Sequence, residues 1–216
     1  MTDPYSFEGL PLSEVSPGST VLVEGPTHVG TRDLALRMLA GGDDQGAIVI
    51  TTNRRARRIS EDCRRVGLEL ASDRTAILDC VGQADQRTPA RVLSVASPSD
   101  LTGIGMRYSD VYREFNHSGL DRVRTGLCSL STLLSFGDLQ TVSRFVHTLV
   151  GRIDAVDGIG VFLIDPAIHD DRTVSTISQF CTGRIQVRDA DDAPELRVRG
   201  LPGQPRDWQP FDPTPD

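Results

Sequence analysis

The 216-residue sequence contains no lysine; all 23 of its basic residues are arginine. Aromatic residues make up only 5% of the chain, with a single Trp, and Glu supplies just 7 of the 30 acidic residues. Each shortage excludes something. The formal net charge of −7 argues against a generally basic nucleic-acid coat and leaves room for a local patch at most. Cys63, Cys80, Cys128 and Cys181 lie far apart without a Cys-x-x-Cys pair. Buried reduced thiols are therefore expected, not a disulfide framework or a zinc site. His28, His117, His147 and His169 lack metal-ligand spacing, so no metal is assigned. No apolar run approaches about 18 residues and no basic-then-apolar segment opens the chain, so a cytoplasmic protein with no membrane partner is expected.

What is present is alternation. A chain of 23.5 kDa can bury a core without staples. A leader over residues 1–18 contains Pro4, Pro11 and Pro17. Strands are expected at Ser19–Glu24, Ala47–Thr52, Thr75–Val81, Arg91–Ala96, within Arg124–Phe136, and at Ile159–Ile164. Helices are expected at Thr31–Leu39, Arg54–Val66, after Asp100, at Asp138–Val150 and near Arg172–Cys181, with a polar loop around Gly82–Pro89. Strands apolar on both faces, alternating with amphipathic helices, imply an α/β domain over residues 19–200, with a mostly parallel sheet between two helix layers. After Gly183 two short alternating strands predict an antiparallel hairpin, and residues 201–216, with five prolines, predict an extended tail. Trp208 in that tail is expected to dock on its own domain.

The first strand runs into Gly25-Pro26-Thr27-His28-Val29-Gly30-Thr31-Arg32. A strand, a loop bounded by glycines and a helix are the setting of a phosphate-binding loop, G-x-x-x-x-G-K-[ST], whose backbone amides cradle an anion. Both glycines keep their spacing. Thr31, however, stands at the lysine position and supplies no ammonium between the phosphates. Arg32 stands at the magnesium-hydroxyl position, and a guanidinium carries donors only. An exchange of roles would require two side chains about 100° apart on the helix to trade places.

With that loop placed, the order of elements from Phe7 to Trp208 resembles the RecA/KaiC-like P-loop superfamily, in its KaiC and RadB branch. The phrase ITTNRRARRISEDCRRVGLEL resembles the second strand and helix of that family, whose strand commonly ends in a pair of glutamates. Here those positions are Asn53 and Arg54, or Thr52 and Asn53, and an amide accepts no proton from water. The run LCSLSTLL resembles the strand ending in Asp-Ser, with Cys128 and Ser129 at those places. Spacing alone favours a second candidate, Val161-Phe-Leu-Ile-Asp165, for the metal-linked acid. Cys128 and Asp165 therefore both stand as candidates. The lysine-free, Asp-rich composition resembles RecA-like proteins of salt-accumulating haloarchaea, although a G+C-rich genome also favours Arg over Lys.

The resemblance implies a RecA-like scaffold with a degenerate nucleotide site, a pseudo-ATPase with no catalytic residue of its own, serving a regulatory or scaffolding role. A homo-oligomer or a RecA/KaiC-like protein partner is implied with it. ATP binding stays open, and magnesium only if Asp165 or Thr31 substitutes. The alternative is an atypical ATP binder or slow ATPase, linked to signalling or to DNA recombination and repair. Arg54, Arg55, Arg57, Arg58, Arg64 and Arg65 could grip nucleic-acid phosphates, but no aromatics interleave for base stacking. A solvated, partly ion-paired helix face is the favoured reading of that cluster.

Overall fold

The computed structural model describes residues 3–82 and 88–214. Strands run β1 Thr20–Glu24, β2 Gln45–Thr51, β3 Thr75–Asp79, β4 Arg91–Ser94, β5 Arg122–Cys128 and β6 Ile159–Ile164. Then come β7 Gly183–Arg188, β8 Glu195–Arg199 and β9 Gln209–Pro210. Helices are α1 Thr31–Arg37, α2 Ala56–Arg65, α3 Leu101–His117, α4 Leu130–Phe136, α5 Leu139–Asp154 and α6 Asp171–Ser178. The loop expected around Gly82–Pro89 falls mostly outside the described residues.

The strands form one sheet in the order β4-β3-β2-β5-β6-β1-β7-β8-β9. Seven strands are mutually parallel, and β8 and β9 add on antiparallel. Strands β1, β3 and β6 are buried on both faces, which is why their sequences show no alternation. Val21 and Val23 face the layer of α1 and α2, whereas Leu22 faces that of α3 to α6. The expected hairpin is present, with Ile185 opposite Val198, and it extends the sheet because β7 also pairs with β1.

Several boundaries move for local reasons. Helix α2 begins at Ala56, not Arg54, because the Thr51 hydroxyl holds the Arg54 carbonyl at 2.6 Å outside the helix. Helix α5 continues through Gly151 to Asp154 because Ile153 is fully buried in the core. The segment after Cys128 turns from strand to helix at Ser129, whose φ of 126° breaks the extended backbone and whose side chain caps α4. Asp170 caps α6 in the same way, accepting from the Thr173 N–H at 2.7 Å.

The described residues before β1 and after β8 are fastened to the domain. Tyr5 pairs with Val15, and Tyr5, Phe7, Leu10 and Val15 enter the core on the α1 side. The buried Arg124 donates to the carbonyls of Met38 at 2.9 Å and Ser6 at 3.1 Å, and to Gln45 at 2.8 Å, while lying over the Tyr5 ring. Burial holds its guanidinium down at about 10. At the other end Phe211 is buried in the same core, and Trp208 lies against Arg188 and Arg197 of its own hairpin.

Candidate functional site at the glycine loop

The C-terminal ends of the parallel strands form the edge where open α/β sheets place their sites. Gly25 leaves β1 tied to β6, its N–H donating to the Ile164 carbonyl. A side chain at Gly25 would come within 2.9 Å of Val187 and Thr31, so this position must lack one. Pro26 leads into a single 3-10 turn, Thr27–Val29, with His28 exposed and Val29 buried. Gly30 follows at φ 80°, a left-handed conformation that glycine adopts without strain, and α1 starts at Thr31.

Thr31 is fully buried and turns back into the loop. Its hydroxyl donates to the Pro26 carbonyl at 2.5 Å, so it closes the loop on itself and does not present a donor outward. Arg32 points elsewhere. Its half-buried guanidinium lies among Arg54, Cys128, Asp62 and Asp33; desolvation lowers its proton affinity most, and Arg54 lowers it further. Its Nε is buried without a hydrogen-bond partner. Cys128, at the end of β5, is also buried, and desolvation pushes its thiol up to about 12 against the pull of Arg32. It is a neutral thiol at physiological pH.

Strand order separates the two acid candidates. Cys128 ends β5 opposite Thr51 of β2, and β6 lies between β5 and the glycine-loop strand β1. Asp165 follows β6, beside β1, where Glu24 is level with Ile164. The Asp165 carboxylate accepts from the Ala167 N–H at 3.0 Å and so caps a 3-10 turn. Its backbone N–H donates to Ser131. Asn53 is exposed, while the hydroxyls of Thr51 and Thr52 are spent on the carbonyls of Arg54 and Ser129. Among the described residues, no three His, Cys, Asp or Glu side chains gather so as to hold a metal ion.

Two acids that sequence reasoning passed over organise the surroundings. Asp62, which lies within the arginine cluster, is buried and bridges Arg54 at 3.0 Å and Arg65 at 3.3 Å. Arg65 continues to Asp33 at 2.6 Å, joining α2 to α1 beside Arg32. Asp79, buried at the end of β3, accepts from three backbone N–H groups: Ala56 at 2.7 Å, Val81 at 2.8 Å and Gly82 at 3.0 Å. An apolar run ending in Asp, TAILD, was the available signal, and it repeats the pattern of VFLID. Of the remaining arginines, Arg57 and Arg58 pair with Glu61, so much of this helix face is ion-paired.

The tail also reaches the loop, a contact with no counterpart in the sequence pattern. A side chain at Gly30 would lie 2.5 Å from Pro213 Cβ, so the tail proline abuts the loop glycine. Arg37, at the far end of α1, donates to the Asp212 carbonyl and holds this segment alongside the helix. Among the described residues, no helix is long and apolar enough to cross a membrane.

Compared with solved structures, the fold is similar to that of the KaiC-like protein PH0186 from the hyperthermophilic archaeon Pyrococcus horikoshii OT3. The TM-score is 0.67 over 97% of this chain and 95% of that one, at 16% sequence identity. That likeness establishes a RecA/KaiC-like α/β fold. A search of curated proteins gave no match. Residues 18–187 match the model of a family of unknown function, DUF7504, and the chain belongs to that family.

Proposed function

We propose that this chain is a RecA/KaiC-like scaffold with a degenerate nucleotide site, a pseudo-ATPase acting as a non-catalytic regulatory or scaffolding partner. The observation that carries the reading is the inward turn of Thr31. Where a phosphate loop needs a cation, the side chain is a hydroxyl already bonded to Pro26. The supporting observations concern the metal side. Arg32 occupies the hydroxyl-ligand position and lies near Cys128, whose neutral thiol offers no anionic ligand. Asn53 offers no carboxylate to accept a proton from water. These residues do not fit a magnesium nucleotide.

The partner is read as protein, either a second copy or another RecA/KaiC-like chain. Met106, Phe136 and Ile168 each expose a large apolar side chain that such a partner could contact. The acidic, lysine-free surface fits the cytoplasm of a salt-accumulating archaeon, where screening relieves its self-repulsion.

The test is ATP turnover and ATP-dependent thermal stabilisation of the full chain in molar KCl with Mg²⁺. The expected result is hydrolysis at background and a melting temperature that does not move with millimolar ATP. Magnesium-dependent turnover abolished by Arg32→Ala would overturn the reading in favour of an atypical ATPase.

A further inference from the structure

A cavity of about 450 Å³ lies between the hairpin and α6 at the same end of the sheet, separate from the glycine loop. Its floor is the sheet face opposite α1. Glu24, Arg184, Gln186 and Arg197 line it, with Val174 and Trp208 among its walls. Alternation along β7 and β8 produces this polar floor. Ile185, Val187, Leu196 and Val198 turn to the apolar core, so the residues between them turn the other way.

Glu24 is the unusual member. It is only 5% exposed, yet its Oε1 has no hydrogen bond, and the nearest cation, Arg184 Nη1, is 3.5 Å away. Its Oε2 accepts one long bond, from Gln186 Nε2 at 3.3 Å. A charge-assisted bond prefers about 2.7–2.9 Å, and a buried carboxylate can take several. This carboxylate is therefore under-partnered for its burial.

The arginines on the same floor are held but not used up. Gln186 Oε1 accepts from Arg197 Nε at 2.8 Å, and the Trp208 ring lies 4.4 Å from that guanidinium. One amide thus aligns both Glu24 and Arg197. Among the described residues, no protein acceptor engages the two terminal nitrogens of Arg197. Among the described residues, Arg184 makes only its long contact to Glu24. In a chain of net charge −7, two underused guanidiniums on one cavity floor stand out.

We propose that this cavity binds a small organic anion, a carboxylate or a phosphate monoester, that also bears a hydrogen-bond donor. Arg197 and Arg184 take the anionic group, drawing Arg184 off Glu24, and Glu24 takes the donor. The inference does not depend on whether the glycine loop binds anything.

The chain's single Trp makes the test local, because its one indole N–H signal reports on the cavity wall. Full-length ¹⁵N-labelled protein is titrated at constant ionic strength with benzoate, phenyl phosphate and 4-aminobenzoate. The indole signal is expected to shift saturably, and the tighter of benzoate and phenyl phosphate identifies the anionic group. Arg197→Met should weaken binding at least about tenfold, the loss expected for hydrogen bonds to a charged group. 4-Aminobenzoate should bind more tightly than benzoate, an advantage that Glu24→Gln removes. If Arg197→Met does not fold, Arg184→Met, at a half-exposed position, serves with the same expectation. No saturable shift with any probe, or binding unchanged in the arginine variant, would overturn the site. Equal affinity for benzoate and 4-aminobenzoate would overturn the role of Glu24.

Discussion

Gly30→Ala probes the loop and the tail together. The new methyl group meets two separate obstacles. At φ 80° an alanine occupies a left-handed conformation that disfavours any Cβ, at a cost of about 1–2 kcal/mol. It also enters a space already filled, 2.5 Å from Pro213 Cβ and 2.9 Å from its Cγ. Carbon atoms prefer about 3.5–4.0 Å, so the tail must shift, at roughly 1–3 kcal/mol for an overpacked contact. The two add to about 2–5 kcal/mol, or roughly 5–15 °C in melting temperature for a chain of this size. Pro213→Gly separates them. It removes both clashing atoms and leaves Pro213 Cα at an ordinary 3.9 Å. Thermal or urea unfolding of both single variants and the double variant, in molar KCl, should reveal a coupling of about 1–3 kcal/mol. If the two changes add within about 0.5 kcal/mol, the tail does not rest on the loop in solution, and the argument fails.

Asp79→Ala leaves one buried and two part-buried backbone N–H groups without their acceptor, so at about 1–2 kcal/mol per donor it should destabilise by roughly 3–6 kcal/mol in urea unfolding. A loss below about 1 kcal/mol would show that water replaces the carboxylate there. The Asp170 carboxyl is held below its ordinary range, chiefly by its hydrogen bond from the Thr173 side chain and then by the Thr173 N–H. A depressed folded value means stability that is full above the unfolded carboxylate value, about 3.9, and lost as pH falls through the lower folded value. Asp170→Ala should therefore be less stable than the parent at neutral pH, with the difference closing in acid. A gap unchanged down to the most acidic pH at which both fold would refute the linkage.

Fold class was legible because the pattern it rests on is local. Apolar runs such as VLV and IGVFLI cannot lie at a wet surface, and the amphipathic stripes between them must cover something. Alternation in RIQVR and ELRVR likewise marked the hairpin. The spacing of the glycine loop was legible for the same reason, since the left-handed Gly30 and the contact of Gly25 with Thr31 are local, whereas their contacts with Pro213 and Val187 were not. Asp79 shows where pattern stops being enough. Its apolar-then-acid sequence is the same as that of Asp165, yet Asp79 accepts from three backbone N–H groups whereas Asp165 accepts from one through Oδ1.

The sequence alone determined that two glycines bracket the first turn, that no lysine could follow them, and that the chain would alternate strand and helix. Tertiary structure decided which residues meet. Arg32 comes beside Cys128 across 96 positions of chain, and Pro213 beside Gly30 across 183, because strand order and tail path place them there. It also decided that Glu24 would be buried and under-partnered at the base of a cavity. The physical reason is one of range. Propensity and periodicity act over a few residues, whereas desolvation and pairing depend on neighbours that folding brings from far along the chain.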